Sequence, residues 1–145
     1  MKDTVCLDAG FLLAWLMPEK YSEAAGAAIL RWKKSQSRLI TAPLFHAEVT
    51  SVIREQVYFK KLLPEQGDAY FFYYQQLGVE SYGNEIRLQQ TAWELAKSLN
   101  LPRAYDAQYL AAAELVNCEF WTADKRLYNS ISGENKRIRW VGELV

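Results

Sequence analysis

The sequence is poor in the residues that most often announce a chemistry. Its 145 residues hold one histidine, His46, so a histidine-rich zinc site cannot be built and a Ser–His–Asp triad would have to use that single ring. They hold two cysteines, Cys6 and Cys118, each in an apolar strand-like run without metal-ligand spacing. These read as buried, reduced thiols of a cytoplasmic protein rather than as a disulfide framework. Charge of one sign is not in excess: 17 basic residues balance 17 acidic ones. That balance removes a global pull toward nucleic acid or anionic lipid, but not a local one supplied by a bound cation. No apolar run approaches the ~20 residues of a membrane-spanning helix. The longest, FLLAWLM at 11–17, is far too short, and residues 1–5 lack the charged-then-apolar layout of a secretion signal. Repeats, low-complexity tracts and Gly/Ser/Pro-rich linkers are missing too, so residues 1–145 read as one soluble domain with no membrane association.

What is present is a hydrophobic half and a charged fraction of 23%, a balance that excludes disorder and a coiled-coil rod. Short apolar runs alternate with helical patterns. TVCL at 4–7, RLIT at 38–41, GVES at 78–81, EFWT at 119–122 and RIRWV at 137–141 read as strands. Between them, Ala25, Ala28, Ile29 and Trp32 follow helical i, i+3, i+4, i+7 spacing. So do Leu88, Ala92, Leu95, Ala96 and Leu99, and a further helix fits residues 104–116. Pro43 and Pro64 stand where helices start well. The alternation predicts a three-layer α/β/α fold around a mostly parallel sheet, in which ligands gather at the carboxyl ends of the strands.

That rule makes the position of each acid informative. In VCLDAG, residues 5–10, an apolar run stops on Asp8. The carboxylate is either a helix N-cap, accepting from orphan backbone N–H groups, or an acid presented at the sheet edge. Asp124 follows EFWT by two residues, in TADKRL just before a short helix, and Asp106 lies near the start of the 104–116 helix. Each carries the same two readings. Glu48 is different, because it sits within the apolar stripe Leu44, Phe45, Val49, Val52 and Ile53 of a helix starting at 44. A carboxylate there must be protonated, ion-paired or bound to a metal. If all four converge, two like charges ~4 Å apart repel by roughly 4 kcal/mol at an effective dielectric of ~20, so cations must share the site. Oxygen ligands in that number suit Mg²⁺ or Mn²⁺, and the matching chemistry is phosphodiester hydrolysis.

At these residues the sequence resembles a known family. VCLDAG, FHAEVTSVIRE, YDAQYLAAAE and FWTADKRLYN, in that order, look like the PIN-domain ribonucleases, and more narrowly the VapC-like toxins of type II toxin–antitoxin modules. The resemblance runs from Asp8 to about Asn129, and its last two motifs are the most specific. It implies that Asp8 and Asp106 are the principal Mg²⁺ ligands. Glu48 and Asp124 would complete the acidic pocket, directly or through water, and the Thr122 hydroxyl would orient a carboxylate or a water. It further implies cleavage of single-stranded or looped RNA leaving a 5′-phosphate, a partner antitoxin and a homodimer. One departure stands at Gly10, where the family often carries Ser, Thr or Asn two residues after the first aspartate.

Three cations, Arg103, Lys125 and Arg126, flank the third and fourth acids and are either contacts to RNA phosphates or solvated charges. The block AYFFYYQQL at 69–77 is either a core helix or an interaction face, with Tyr70, Tyr73, Tyr74 and Leu77 sharing one side. The competing functional reading is a non-catalytic PIN-like module that binds RNA or protein, for which Gly10 is the one feature. An aspartate-nucleophile phosphatase is rejected, since it expects a second acid where Gly10 stands.

Overall fold

The computed structural model describes residues 3–145; Met1 and Lys2, the first residues of the expected single domain, lie outside them. Five strands form one parallel sheet: β1 (Thr4–Leu7), β2 (Arg38–Thr41), β3 (Glu80–Ser81), β4 (Glu119–Thr122) and β5 (Ile138–Trp140). Their order is β3-β2-β1-β4-β5, so β1 is central and the order reverses between β1 and β4. Val5 stands opposite Leu39 on one side and Glu119 on the other. Seven α-helices connect and flank the strands: α1 (Ala9–Leu16), α2 (Ser22–Lys34), α3 (Leu44–Tyr58), α4 (Pro64–Gln76), α5 (Glu85–Ser98), α6 (Tyr105–Val116) and α7 (Lys125–Ile131). A 3₁₀ turn, Val141–Leu144, ends the chain. The expected α/β/α architecture is what the chain adopts.

Strand alternation puts helices on both faces. On one, Phe120 stacks on Tyr109 of α6 with ring centroids 6.0 Å apart, and the Cys6 thiol donates to the Tyr109 carbonyl. On the other, Trp121 meets Phe11 of α1 and Trp32 of α2 at 6.2 and 5.9 Å. Both cysteines are buried and free, as expected. Among the described residues no helix is long and apolar enough to cross a membrane.

Four local readings change. FLLAWLM is not merely an apolar stretch but most of α1, buried at Phe11, Leu12, Ala14, Leu16 and Met17. A helix apolar nearly all round lacks the amphipathic period that would reveal it. GVES shortens to Glu80–Ser81, because Gly78 takes a left-handed φ of 65° just after α4. RIRWV shortens to Ile138–Trp140, losing Arg137 at one end and Val141 to the 3₁₀ turn at the other. In α4 the buried side is Gly67, Tyr74 and Leu77, with Tyr70 and Phe71 half-buried, whereas Tyr73 and Phe72 are 49% and 55% exposed. Tyr73 therefore leaves the expected face. Gly67 sets that rotation: any Cβ there would run into Val57, so α4 seats its bare glycine against α3.

Candidate functional site

The acids meet at the carboxyl edge, where β1 and β4 end side by side. Asp8 satisfies both readings of its position at once. Its Oδ1 accepts from the Phe11 N–H at 2.8 Å, capping α1, while its Oδ2 accepts from the Thr122 hydroxyl. The Thr122 oxygen also accepts from the Asp124 N–H at 3.0 Å, so one fully buried hydroxyl at the end of β4 fixes two of the acids. Asp124 in turn caps α7, accepting from the Leu127 N–H at 3.1 Å. On the next strand, the Thr41 hydroxyl donates to the Leu7 carbonyl at 2.7 Å and closes the edge beside Asp8.

Asp106 and Glu48 arrive from helices. Asp106 lies in the first turn of α6, where the helix dipole favours an acid. Glu48 is half-buried on α3, and the expected alternative of a buried ion pair is not found for it among the described residues. Its Oε1 accepts from the Tyr109 hydroxyl at 3.3 Å. Tyr109 is the residue the sequence reading missed. It is 2% exposed, and burial followed by the Glu48 charge raises its phenol well above the ordinary range, so it remains a donor. A tyrosine at i+3 from Asp106 in YDAQY is the signal that could have found it.

The electrostatics tie the four together. Asp8, 8% exposed, is raised to about 7: burial is the main cause, and the charges of Asp106 and Glu48 add to it. The bonds from Thr122 and Phe11 act the other way. Burial also raises Glu48, with Asp106 contributing, and raises Asp106, with Asp124 contributing. Asp8, Glu48 and Asp106 thus each feel at least one other acid, although no three are close enough, among the described residues, to form a preassembled cage of protein ligands. A cleft of about 550 Å³ leads away from Gly10 and Asp124 between Leu13, Val52 and Lys61.

The remaining candidates separate. Arg103, Lys125 and Arg126 are all exposed, and among the described residues none is ion-paired. Lys125 lies 5.0 Å over the Trp140 ring, which directs it toward β5. His46 is occupied by the Tyr74 hydroxyl. Gly10 is exposed in the first turn of α1, and a Cβ there would meet Asp8 Oδ1 at 3.5 Å and Ala123 Cβ at 3.9 Å, both ordinary contacts. Gly10→Ser should therefore be accommodated, with a gain of up to ~0.5 kcal/mol from helix propensity. Its hydroxyl would reach the Asp8 carboxylate. Thermal melting checks this, and a fall in melting temperature would mean the position is closed to a side chain.

Acids at the carboxyl edge of a parallel sheet, beside the point where strand order reverses, stand where α/β proteins of this class bind their ligands. The chain belongs to the PIN-domain family, whose model matches residues 5–130. That family is one of nucleases, and its members typically bind divalent metals. Among solved structures the chain is similar to the crystal structure of PAE2754 from Pyrobaculum aerophilum, with a TM-score of 0.69 over 99% of this chain and 95% of that one. Identity is 17%, so the likeness is one of fold. Comparison with curated proteins returns no match.

Proposed function

We propose that this chain is a Mg²⁺-dependent endoribonuclease, with residues 1–145 acting as one cytoplasmic domain and as the toxin of a type II toxin–antitoxin pair. The observation that carries the reading is the buried Asp8, held by Thr122 and the α1 N-terminus, whose pKa is raised to about 7 by burial first, with the charges of Asp106 and Glu48 adding to it. Burying an acid among acids costs stability without a cation to share, and an all-oxygen donor set suits a hard divalent ion. The absence of a tight protein cage is compatible with Mg²⁺, which keeps several waters and takes one or two carboxylates directly.

In this reading Asp8 and Asp106 are the direct Mg²⁺ ligands, with Mn²⁺ a possible substitute, and Glu48 and Asp124 act directly or through ordered water. The metal, when bound, supplies charge stabilisation and activation of the attacking water at the scissile phosphate. The chain's own residues do the positioning. Thr122 fixes the Asp8 carboxylate and the Asp124 backbone together, and Tyr109 holds Glu48 toward the pocket. Arg103 and Arg126 are free to meet phosphates, with Lys125 a weaker candidate because Trp140 already engages it. The partners are an RNA substrate, a second copy of the chain and a cognate antitoxin protein. The second reading, a catalytically weak PIN-like module that binds RNA or protein, is favoured by Gly10, which leaves no side chain beside Asp8.

The test is incubation of pooled tRNA and structured rRNA fragments with Mg²⁺ or Mn²⁺, with chelator, and with Asp106→Asn as control. Cutting should need metal, leave 5′-phosphates and fall by more than ~10²-fold in the variant, beyond what loss of an outer-shell contact produces. A folded protein, freed of any partner, that cuts under neither metal would transfer the assignment to the binding module. For the toxin role, a short upstream reading frame encoding a DNA-binding domain with a flexible tail is the expected neighbour.

A further inference from the structure

We propose that the concave surface between the end of α5 and the start of α6 is a stacking platform for single-stranded RNA, with Trp93 and Tyr105 as the ring surfaces and Lys97 and Arg103 as the phosphate contacts. The inference rests on the ribonuclease reading and names the part of the chain that would hold the strand next to the acids.

Trp93 and Tyr105 are 63% and 68% exposed, an unusual placement for two large rings. A cleft of about 420 Å³ lies beside Trp93 and is bounded by Lys97, Asn100, Pro102, Arg103 and Ala104. No acid lines it among the described residues. Lys97 stands 5.6 Å from the Trp93 ring centre. Its ion-pair partner at 3.1 Å, Glu94, borders a different depression with Gln90 and Thr91. Arg103, which has no ion-pair partner among the described residues, is the free positive charge of this cleft. Ala104 of its lining is followed in the chain by Tyr105, which opens α6, and then by Asp106.

Rings with interleaved cations are the chemistry of single-strand binding: every base offers a π-face to an aromatic side chain, and cations track the backbone. Another ring-rich segment, 69–77, has no cation within it. A protein partner would fit better if the surface around Trp93 were wholly apolar, but Lys97, Asn100 and Arg103 line the cleft beside it.

The test uses full-length Asp106→Asn protein, so that RNA survives in Mg²⁺, and a fluorescent single-stranded oligoribonucleotide with or without one abasic residue. Trp93→Ala and Tyr105→Ala should each weaken binding by about tenfold or more, and Trp93→Phe should retain most of it. Arg103→Ala should lower the salt slope by ~0.7. The parent should prefer the intact strand to the abasic one at some position, and Trp93→Ala should lose that preference. Melting temperatures should stay level, since both rings are exposed. Unchanged affinity in both ring variants, or a loss no smaller for abasic strands, would overturn the platform. So would RNA binding indifferent to Trp93 combined with self-association that depends on it, which would give the surface to a protein partner. The two ideas fail separately. Ring-dependent binding without cleavage by the native chain removes the nuclease and keeps the platform. Cleavage that needs Asp106 with ring-independent binding does the reverse.

Discussion

In chelator at pH 8, Asp8→Asn should melt higher than the native protein, while RNA cleavage is lost. The reason is the environment of that carboxylate. Burial, with Asp106 and Glu48 adding to it, lifts Asp8 to about 7 against the bonds from Thr122 and Phe11. In the unfolded chain it titrates near 3.9. Between about pH 4 and 7 the folded state therefore keeps a proton that the unfolded state has released, so stability falls as pH rises through that window. It is full below about pH 4 and lost above about pH 7. At ~1.4 kcal/mol per pH unit of displacement, ionised Asp8 costs the metal-free fold up to roughly 4 kcal/mol. Asparagine removes the charge and caps a helix as well as aspartate does. Its Nδ2 can donate to the Thr122 oxygen, which now donates to Asp8 and can accept as well. Each kcal/mol recovered should raise the melting temperature by ~2–4 °C in a chain of this size. The gain should shrink toward pH 5, and a divalent cation at pH 8 should stabilise the native protein more than the variant. A native melting temperature that stays flat from pH 5 to 8 in chelator would sink the idea of a frustrated carboxylate.

Thr122→Val should be nearly as damaging to function while having the opposite effect on stability. Valine matches the shape of threonine, but the position is fully buried and the hydroxyl serves two partners. Its loss leaves Asp8 Oδ2 without a donor and the Asp124 N–H without an acceptor. An unsatisfied buried group costs ~1–3 kcal/mol, which sets the expected loss of stability. Both carboxylates also lose their common tether, so cleavage should fall by ~10–100-fold. Thr122→Ser keeps the hydroxyl and should restore most of the rate. Denaturant unfolding beside cleavage rates checks the pair. If serine and valine prove equally poor, the methyl packing rather than the hydroxyl carries the effect.

How much was visible beforehand depended on how far each feature reaches along the chain. β1, β2 and β4 have the bounds read from TVCL, RLIT and EFWT, because two or three apolar residues bounded by polar ones are a local signal. The helix expected over 104–116 is found at Tyr105–Val116 for the same reason. α1 was hidden because a helix buried nearly all round carries no period. Tyr73 was misplaced because its neighbours Tyr74 and Phe71 match the same spacing, and the contact between Gly67 and Val57 of another helix decides among them.

The sequence by itself determined the alternation of strands and helices, and with it a parallel sheet whose carboxyl edge receives Asp8 and Asp124. It also picked out Glu48 as an acid in an apolar stripe and Asp106 as a first-turn acid. Only the tertiary structure decided what those acids do to one another. Thr122 reaches Asp8 across 114 residues and Tyr109 reaches Glu48 across 61. No local pattern encodes such pairings, because parallel strands are joined by long crossovers and their neighbours across the sheet are fixed by packing. What Asp8 touches was likewise unresolvable in one dimension: the carboxylate has two oxygens, one capping α1 and the other accepting from Thr122.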